Sequence, residues 1–509
     1  MFRWCRAPLV ALCAGGLVFS TVLASIAVSS IAVPTAAAAP FSPTISPTIS
    51  PTISPTINWR ECGDGFRCGK LAVPLDEADP TGEHVDLAVI MRPARDAHAR
   101  QGALVLNPGG PGESGVTFLR SAADSLPGSV QDAYDLVSFD PRGVGASSPV
   151  DCVDSLDPLF DQSLSPTDDA ERSALVDEFR TIATGCATRN ADLLSHVSTR
   201  ETAHDLDRLR AALGESHLDY VGYSYGTYLG ALYARDFPGR VGRFVLDGPV
   251  DPSLDGATAT LSQARGFERS LDDFLAWCSR DSTCSFHHDG HAAAAYDALR
   301  ARIATDPVPA KDQPGRTLDQ TRFDSAVLSL LYAGRPAWRT LERAITSTED
   351  GNASTMLAEA DSYEGRGADG ADDGALEAFW AITCRDGPVV GDVATTAALE
   401  TEATRIAPRL GPYIVNTSLA CAVWPVPPLP PTGAITAPGT PPILVVGTTR
   451  DPATPYEQAT ALAQQLAHGV LLTVAGSQHT SFASGNRCAD RAISRFLLTG
   501  QAPADGTRC

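Results

Sequence analysis

Positive charge is scarce in this chain. Against 60 Asp and Glu, its 509 residues set 39 Lys and Arg, a formal charge of −21, and no basic run offsets the sign. So acidic a surface repels phosphate backbones and anionic lipid, which argues against nucleic acid as a partner. No Cys-x-x-Cys occurs and no His stands at ligand spacing from a cysteine pair, so a metal is not expected. Beyond residue 33 no segment is long and apolar enough to span a bilayer. No solenoid-type repeat recurs. At 43% hydrophobic and 19% charged residues, the composition excludes a wholly disordered chain, and the length is ample for a large core.

The N-terminus reads as an export signal. Arg3 and Arg6 precede an apolar stretch over 7–33, and Ala37-Ala38-Ala39 before Pro40 fits a small-residue cleavage site. The expectation is a signal peptide over 1–39, without a twin-arginine pair. The other reading is an uncleaved anchor. After cleavage no stable membrane insertion is expected, and the protein is placed outside the cell or on its envelope. Four copies of Ser-Pro-Thr-Ile fill 42–57, where a proline at every fourth residue blocks helix and central strand alike. Residues 40–58 are therefore expected to be an extended linker.

Of the 12 cysteines, Cys5 and Cys13 fall within the signal. The other ten are an even set, as exported chains use for disulfides. Nearest-neighbour pairing, the simplest of many connectivities, gives Cys62 with Cys68, Cys152 with Cys186, Cys278 with Cys284, Cys384 with Cys421, and Cys488 with Cys509.

From residue 59 strand and helix patterns alternate. Short apolar runs at 71–75, 85–91, 103–106, 136–139, 218–221 and 243–246 read as strands. Residues 199–213 and 225–235 read as helices, the first with Leu206, Leu209 and Leu213 at helical spacing before Gly214. Strand, crossover helix and strand in succession build a parallel sheet covered on both faces. From 255 the pattern turns helical, for example over 261–278 and 323–332, with Gly- and Asp-rich loops such as 365–374. After a proline-rich stretch at 423–442, strands return at 443–446 and 470–474, with helices at 457–466 and 489–498. The expected plan is one α/β core over 59–254 and 436–509, interrupted by a helical insertion over 255–435.

Gly222-Tyr223-Ser224-Tyr225-Gly226 is a Gly-x-Ser-x-Gly motif lying between an expected strand and an expected helix. On such a turn the serine backbone is strained and its hydroxyl stands at a helix N-terminus, where a developing oxyanion is favoured. A serine needs a base and an acid to orient it. Asp451, in Gly447-Thr448-Thr449-Arg450-Asp451-Pro452, and His479, in Gly476-Ser477-Gln478-His479-Thr480, each follow a later strand, in the order Ser, Asp, His. Of the 10 His, His479 alone has that placement; His287, His288 and His291 read as a solvated loop. Asn107-Pro108-Gly109-Gly110-Pro111-Gly112 follows the strand at 103–106 and can aim a backbone N–H into the site. Gly110 and Tyr225 are the expected oxyanion donors.

Together with Asp140-Pro141-Arg142-Gly143-Val144-Gly145, these motifs resemble the exported tripeptidyl aminopeptidases of actinobacteria, which are α/β-hydrolases related to the prolyl aminopeptidases. The resemblance runs from about residue 59 to 509 and is strongest in the Asn-Pro-Gly-Gly-Pro-Gly loop. The prolyl enzymes carry His where Pro108 stands, so the match is to the tripeptidyl branch. It implies an α/β-hydrolase fold with a mostly parallel sheet, a helical cap over the site, Ser224, Asp451 and His479 as triad, and removal of short peptides, expected to be tripeptides, from a free N-terminus. Some relatives with this signature are esterases, so a carboxylesterase with the same triad is an alternative, and an inactive envelope binding protein is another. No cofactor is implied; the expected partner is a peptide substrate, and the expected state a monomer. An aminopeptidase also needs a carboxylate for the cationic amino group, for which Glu201, Asp247 and Asp386 are candidates. Arg142 is expected to brace its own loop.

Overall fold

In the computed structural model, residues 56–367, 369–387 and 390–509 are described; the expected signal and most of the linker, to residue 55, lie outside them. The strands, in chain order, are β1 (Arg60–Glu61), β2 (Arg67–Pro74), β3 (His84–Arg92), β4 (Gly102–Asn107), β5 (Tyr134–Phe139), β6 (Leu218–Tyr223), β7 (Val241–Asp247), β8 (Val308–Pro309), β9 (Thr317–Leu318), β10 (Ile443–Thr448), β11 (Gly469–Val474) and β12 (Thr507–Arg508). Among the described residues, all but the β8–β9 pair join one sheet in the order β1-β2-β3-β5-β4-β6-β7-β10-β11-β12. The β1–β2, β2–β3 and β3–β5 pairs are antiparallel, and every later pair is parallel.

Apolar side chains on both faces explain the central strands. All six residues of β4 are buried. Val105, Leu246 and Val445 pack with the helices Thr199–Ala212, Tyr225–Asp236 and Tyr456–Gln465 on one face; Leu104, Leu106, Leu444 and Val446 pack with Gly115–Ala122 and Arg487–Thr499 on the other. In Arg487–Thr499, the buried Ala489, Ile493, Phe496 and Leu497 recur at helical spacing. Asn486 caps its start and Gly500, at φ 70°, ends it.

A separate apolar cluster forms the cap. It draws on the helices from Gly256–Arg280 onward, as expected, but also on residues after β5. Leu175, Val176, Phe179 and Ile182 of the helix Asp169–Arg189 belong to it. Phe179 meets Trp380 edge-on at 5.7 Å, and Glu377 Oε1 accepts the Cys152 and Val153 amides at 2.9 and 3.0 Å. The cap is thus built from two excursions, not only from 255–435. The apolar residues of 150–197 bury themselves against the later insertion instead of the sheet.

Cys62–Cys68, Cys152–Cys186, Cys278–Cys284, Cys384–Cys421 and Cys488–Cys509 are all bridged, the nearest-neighbour pattern throughout. Cys278 and Cys284 lie close to Glu342, but their shared bond leaves no thiolate for a metal. Among the described residues no helix is long and apolar enough to cross a membrane.

Candidate active site

Parallel pairing brings the chemistry-bearing loops to one edge. Tyr223 at the end of β6 pairs with Asp247 of β7, Asp247's neighbour across the sheet is Val446 of β10, and Thr448 pairs with Val474 of β11. The loops holding Ser224, Asp451 and His479 leave from those ends, where open α/β sheets bind ligands.

Ser224 occupies the turn between β6 and the helix Tyr225–Asp236, at φ 52° and ψ −125°. That conformation is costly for a residue with a side chain. Its amide donates to the Asp247 carbonyl at 2.9 Å, and its carbonyl accepts from Thr227 N at 2.9 Å, so the turn is held from both sides. The flanking glycines are required sterically. A Cβ on Gly222 would stand 2.3 Å from Gly226 O, and one on Gly226 would stand 2.6 Å from Asn107 Oδ1.

Asp451 is buried, and its carboxylate faces His479, with Nδ1 at 2.9 and 3.0 Å from the two oxygens. Oδ1 also accepts the Ala453 and Thr454 amides, both at 2.9 Å, and the Thr454 hydroxyl reaches Oδ2 at 3.2 Å. These donors fix the carboxylate. His479 Nε2 is buried without a hydrogen-bond partner among the described residues. Burial works against charge on His479, but the Asp451 carboxylate, aided by Asp247, more than offsets it and raises the imidazole pKa above 6.5. The His479 amide donates to Tyr332 O of the cap at 2.9 Å, and the two rings meet edge-on at 5.4 Å.

The Asn107–Gly112 loop passes over the serine turn. A Cβ on Gly109, which has φ 100°, would stand 2.5 Å from Tyr223 O and 3.1 Å from Tyr225 N. Among the described residues neither Gly110 N nor Tyr225 N donates to a protein acceptor. The sequence pointed to Gly110; Gly109, the residue that lets the loop approach, was legible only as one of a glycine pair.

The three carboxylates named for an amino group part company. Asp247 is fully enclosed: Oδ2 accepts the Ser481 and Phe482 amides at 2.9 and 2.7 Å, and burial pushes its pKa up to about 6. It braces the His479 loop and does not face the cavity. Glu201 accepts the Ser198 hydroxyl at the start of the helix Thr199–Ala212, three residues on from the cap, and is also outside the cavity wall. Asp386 alone of the three lines a cavity of 270 Å³ that Tyr225 also lines. Burial pushes its pKa up to about 7, against the pull of two hydrogen bonds from Thr199. Arg142 is fully buried and directs every donor inward, to both oxygens of Asp205 at 2.7 and 2.8 Å and to the carbonyls of Pro74, Leu75 and His196. His288 pairs with Glu349 at 3.0 Å on the cap surface. Sequence reading missed Thr454 and Tyr332; an Asx turn at Asp451-Pro452-Ala453-Thr454 was the local sign of the first, and the second has none.

The family described as "TAP-like protein" matches residues 407–509. Serine protease Hip1 of Mycobacterium tuberculosis is 37% identical over 457 residues, covering 87% of each chain. Tripeptidyl aminopeptidase of Streptomyces lividans is 34% identical over 470 residues, covering 89% of this chain and 86% of its own length. Carboxylesterase B of Mycobacterium tuberculosis is 33% identical over 461 residues, with 87% and 86% covered. Among solved structures, an alpha/beta hydrolase fold protein from Chitinophaga pinensis is 13% identical with a TM-score of 0.35, covering 88% of this chain and 98% of its own.

Proposed function

Because the chain belongs to the TAP-like family of serine hydrolases represented by Hip1 and the Streptomyces tripeptidyl aminopeptidases, we propose that it is an exported serine exopeptidase releasing short peptides, tripeptides in the main, from free N-termini. The observation that carries this reading is the buried Asp451–His479 pair at 2.9 Å, on the sheet edge that also bears the strained Ser224 turn. Ser224 Oγ attacks the scissile carbonyl while His479 Nε2 takes its proton. Asp451 holds the Nδ1–H and favours the imidazolium. The amides of Gly110 and Tyr225 receive the oxyanion. His479 then protonates the leaving amine, and water, activated by the same imidazole, releases the peptide from the acyl-enzyme. No cofactor enters this scheme. Five disulfides suit an oxidising compartment, in keeping with export, and the protein acts as a monomer on a peptide partner.

The relative named Carboxylesterase B supports a second reading, an esterase with the same triad. Purified mature chain, with Ser224→Ala as blank, separates the two. Cleavage of a chromogenic tripeptide anilide with a free N-terminus, and not of its acetylated form, is expected. Turnover of a short-chain ester with neither anilide cleaved sinks the peptidase reading.

A further inference from the structure

The cavity beside Tyr225 lies between core and cap, walled chiefly by aromatic and aliphatic side chains, among them Tyr225, Tyr228, Phe379 and Trp380. Two carboxylates face it, Asp251 and Asp386. Asp251 is committed elsewhere: its Oδ1 accepts from Ser253 N, Ser253 Oγ and Gln465 Nε2. Asp386 ends the cap helix Ala375–Asp386 and has no ion-pair partner among the described residues. Among the described residues its hydrogen bonds come from Thr199, one from the amide at 2.7 Å and one from the hydroxyl. The charges that act on it are Glu201, which opposes ionisation, and Arg200, which favours it but whose guanidinium is directed to Pro430 O. A carboxylate in an apolar cavity without a counter-charge is unfavourable unless a cation completes it.

The same group is tied to the reaction centre. The Tyr225 hydroxyl bonds to Thr199 Oγ1, which bonds to Asp386. Tyr225 therefore has its amide beside Ser224 and its side chain directed toward Asp386, so its length acts as a ruler between them. One tyrosine side chain and one bridging hydroxyl span on the order of 10 Å, the reach of about three extended residues.

We infer that this cavity is the subsite for the ammonium group of the substrate's N-terminus, that Asp386 is its counter-charge, and that its distance from Ser224 selects an acyl portion of about three residues over one. This rests on the peptidase reading above and adds the group that reads the N-terminus. The ammonium donates to the lone pairs that remain on Asp386 Oδ1 and Oδ2, each of which accepts one hydrogen bond from Thr199, while the substrate backbone runs along the Tyr225 side chain. A single aminoacyl group is too short to reach both ends, and an acetylated N-terminus brings no charge to the carboxylate.

The test uses mature chain with free-amine anilides of one to four residues and the acetylated tripeptide. Wild type is expected to favour the free tripeptide over the acetylated one by at least about 100-fold in kcat/KM, the range of one buried charge pair. Asp386→Asn should compress that ratio below about tenfold, mainly by slowing the free substrate. A ratio unchanged in Asp386→Asn overturns the proposal, as does a wild type that prefers the one-residue substrate. Labelling of Ser224 by a fluorophosphonate reports whether the variant retains its serine turn. If Asp386→Asn fails to fold, Thr260→Phe narrows the same cavity from the helix Gly256–Arg280. It should slow the tripeptide more than the one-residue substrate, and equal effects on both overturn the subsite. Loss of the peptidase reading is recognised separately, by wild type hydrolysing an ester while cleaving no anilide.

Discussion

Gly334 of the cap lies against the Ser477 carbonyl so closely that a Cβ there would stand 2.4 Å from the oxygen. Two other glycines make the same kind of contact: Gly266 of the cap helix against Pro452 O, where a Cβ would stand 2.3 Å away, and Gly112 of the Asn107–Gly112 loop against Ala375 O, at 2.2 Å. The cap therefore rests on each of the loops that follow β4, β10 and β11. At Gly334 φ is also 63°, so an added side chain meets both strain and contact. Gly334→Ala is expected to lower kcat at least about tenfold by displacing the His479 loop, with a smaller change in KM. Unchanged kcat in steady-state kinetics would show that the cap does not position that loop.

His479 is buried against Asp451, which raises its pKa above 6.5. With His479 as the proposed base the unprotonated imidazole is the reactive form, so kcat/KM should rise with pH and level off only above that value. Asp451→Asn should remove most of the elevation and lower kcat by about 10⁴-fold. A flat profile between pH 5 and 8 for wild type would exclude His479 as base.

Asp247 links the serine turn to the histidine loop, through its carbonyl to Ser224 N and its carboxylate to Ser481 N and Phe482 N. Asp247→Ala leaves two buried amides without an acceptor and should destabilise the fold by about 2–4 kcal/mol. Denaturant unfolding of the variant measures this; a loss within 0.5 kcal/mol, about the scatter of surface substitutions, would remove the bracing role.

Stability should fall from mildly acidic to mildly alkaline pH. Burial raises Asp247 to about 6, Asp386 to about 7 and Glu364 to about 8. Each favours the protonated native state, so its contribution is complete below the unfolded carboxylate pKa and is lost as pH rises through the folded value. His204, raised by Glu77, has the same sign above 6.5. Glu77, lowered to about 2, contributes above 4.5 and loses that only as pH falls toward 2. Tm by calorimetry should therefore be higher at pH 5 than at pH 8; the reverse order would mean that these carboxyls are ionised in the native state.

Cys384–Cys421 closes a loop of sequence separation 37 and anchors the helix that ends in Asp386. Replacing both cysteines by serine should cost about 4 kcal/mol on the loop-entropy account. Thermal unfolding of the double variant checks this, and an unchanged Tm would show that the cap helix is held by packing alone.

Several features were legible because their signals are local. Strand-to-helix alternation, the glycines around Ser224 and the strand preceding each of Asp451 and His479 all lie within a few residues of sequence. The helix expected at 199–213 is present at Thr199–Ala212, and the strand at 470–474 falls within Gly469–Val474. The helix Asp169–Arg189 escaped notice because its polar residues blur the apolar repeat; its buried Leu175, Phe179 and Ile182 matter only once the second insertion is present to receive them.

The amino-acid sequence by itself determined the fold class, the order of the serine, aspartate and histidine loops, and the residue types in them, since hydrophobic period and turn chemistry act over short range. Tertiary structure alone decided what Asp247 and Asp386 do, whereas Glu201 is taken by Ser198 only three residues before it. Glu201, Asp247 and Asp386 all sit near expected loop ends and look alike in sequence. They differ because Ser198 takes the first, Ser481 and Phe482 arrive from more than 200 positions away to take the second, and Thr199 leaves the third facing a cavity. Contacts at that separation are set by packing, which no local pattern of residues records.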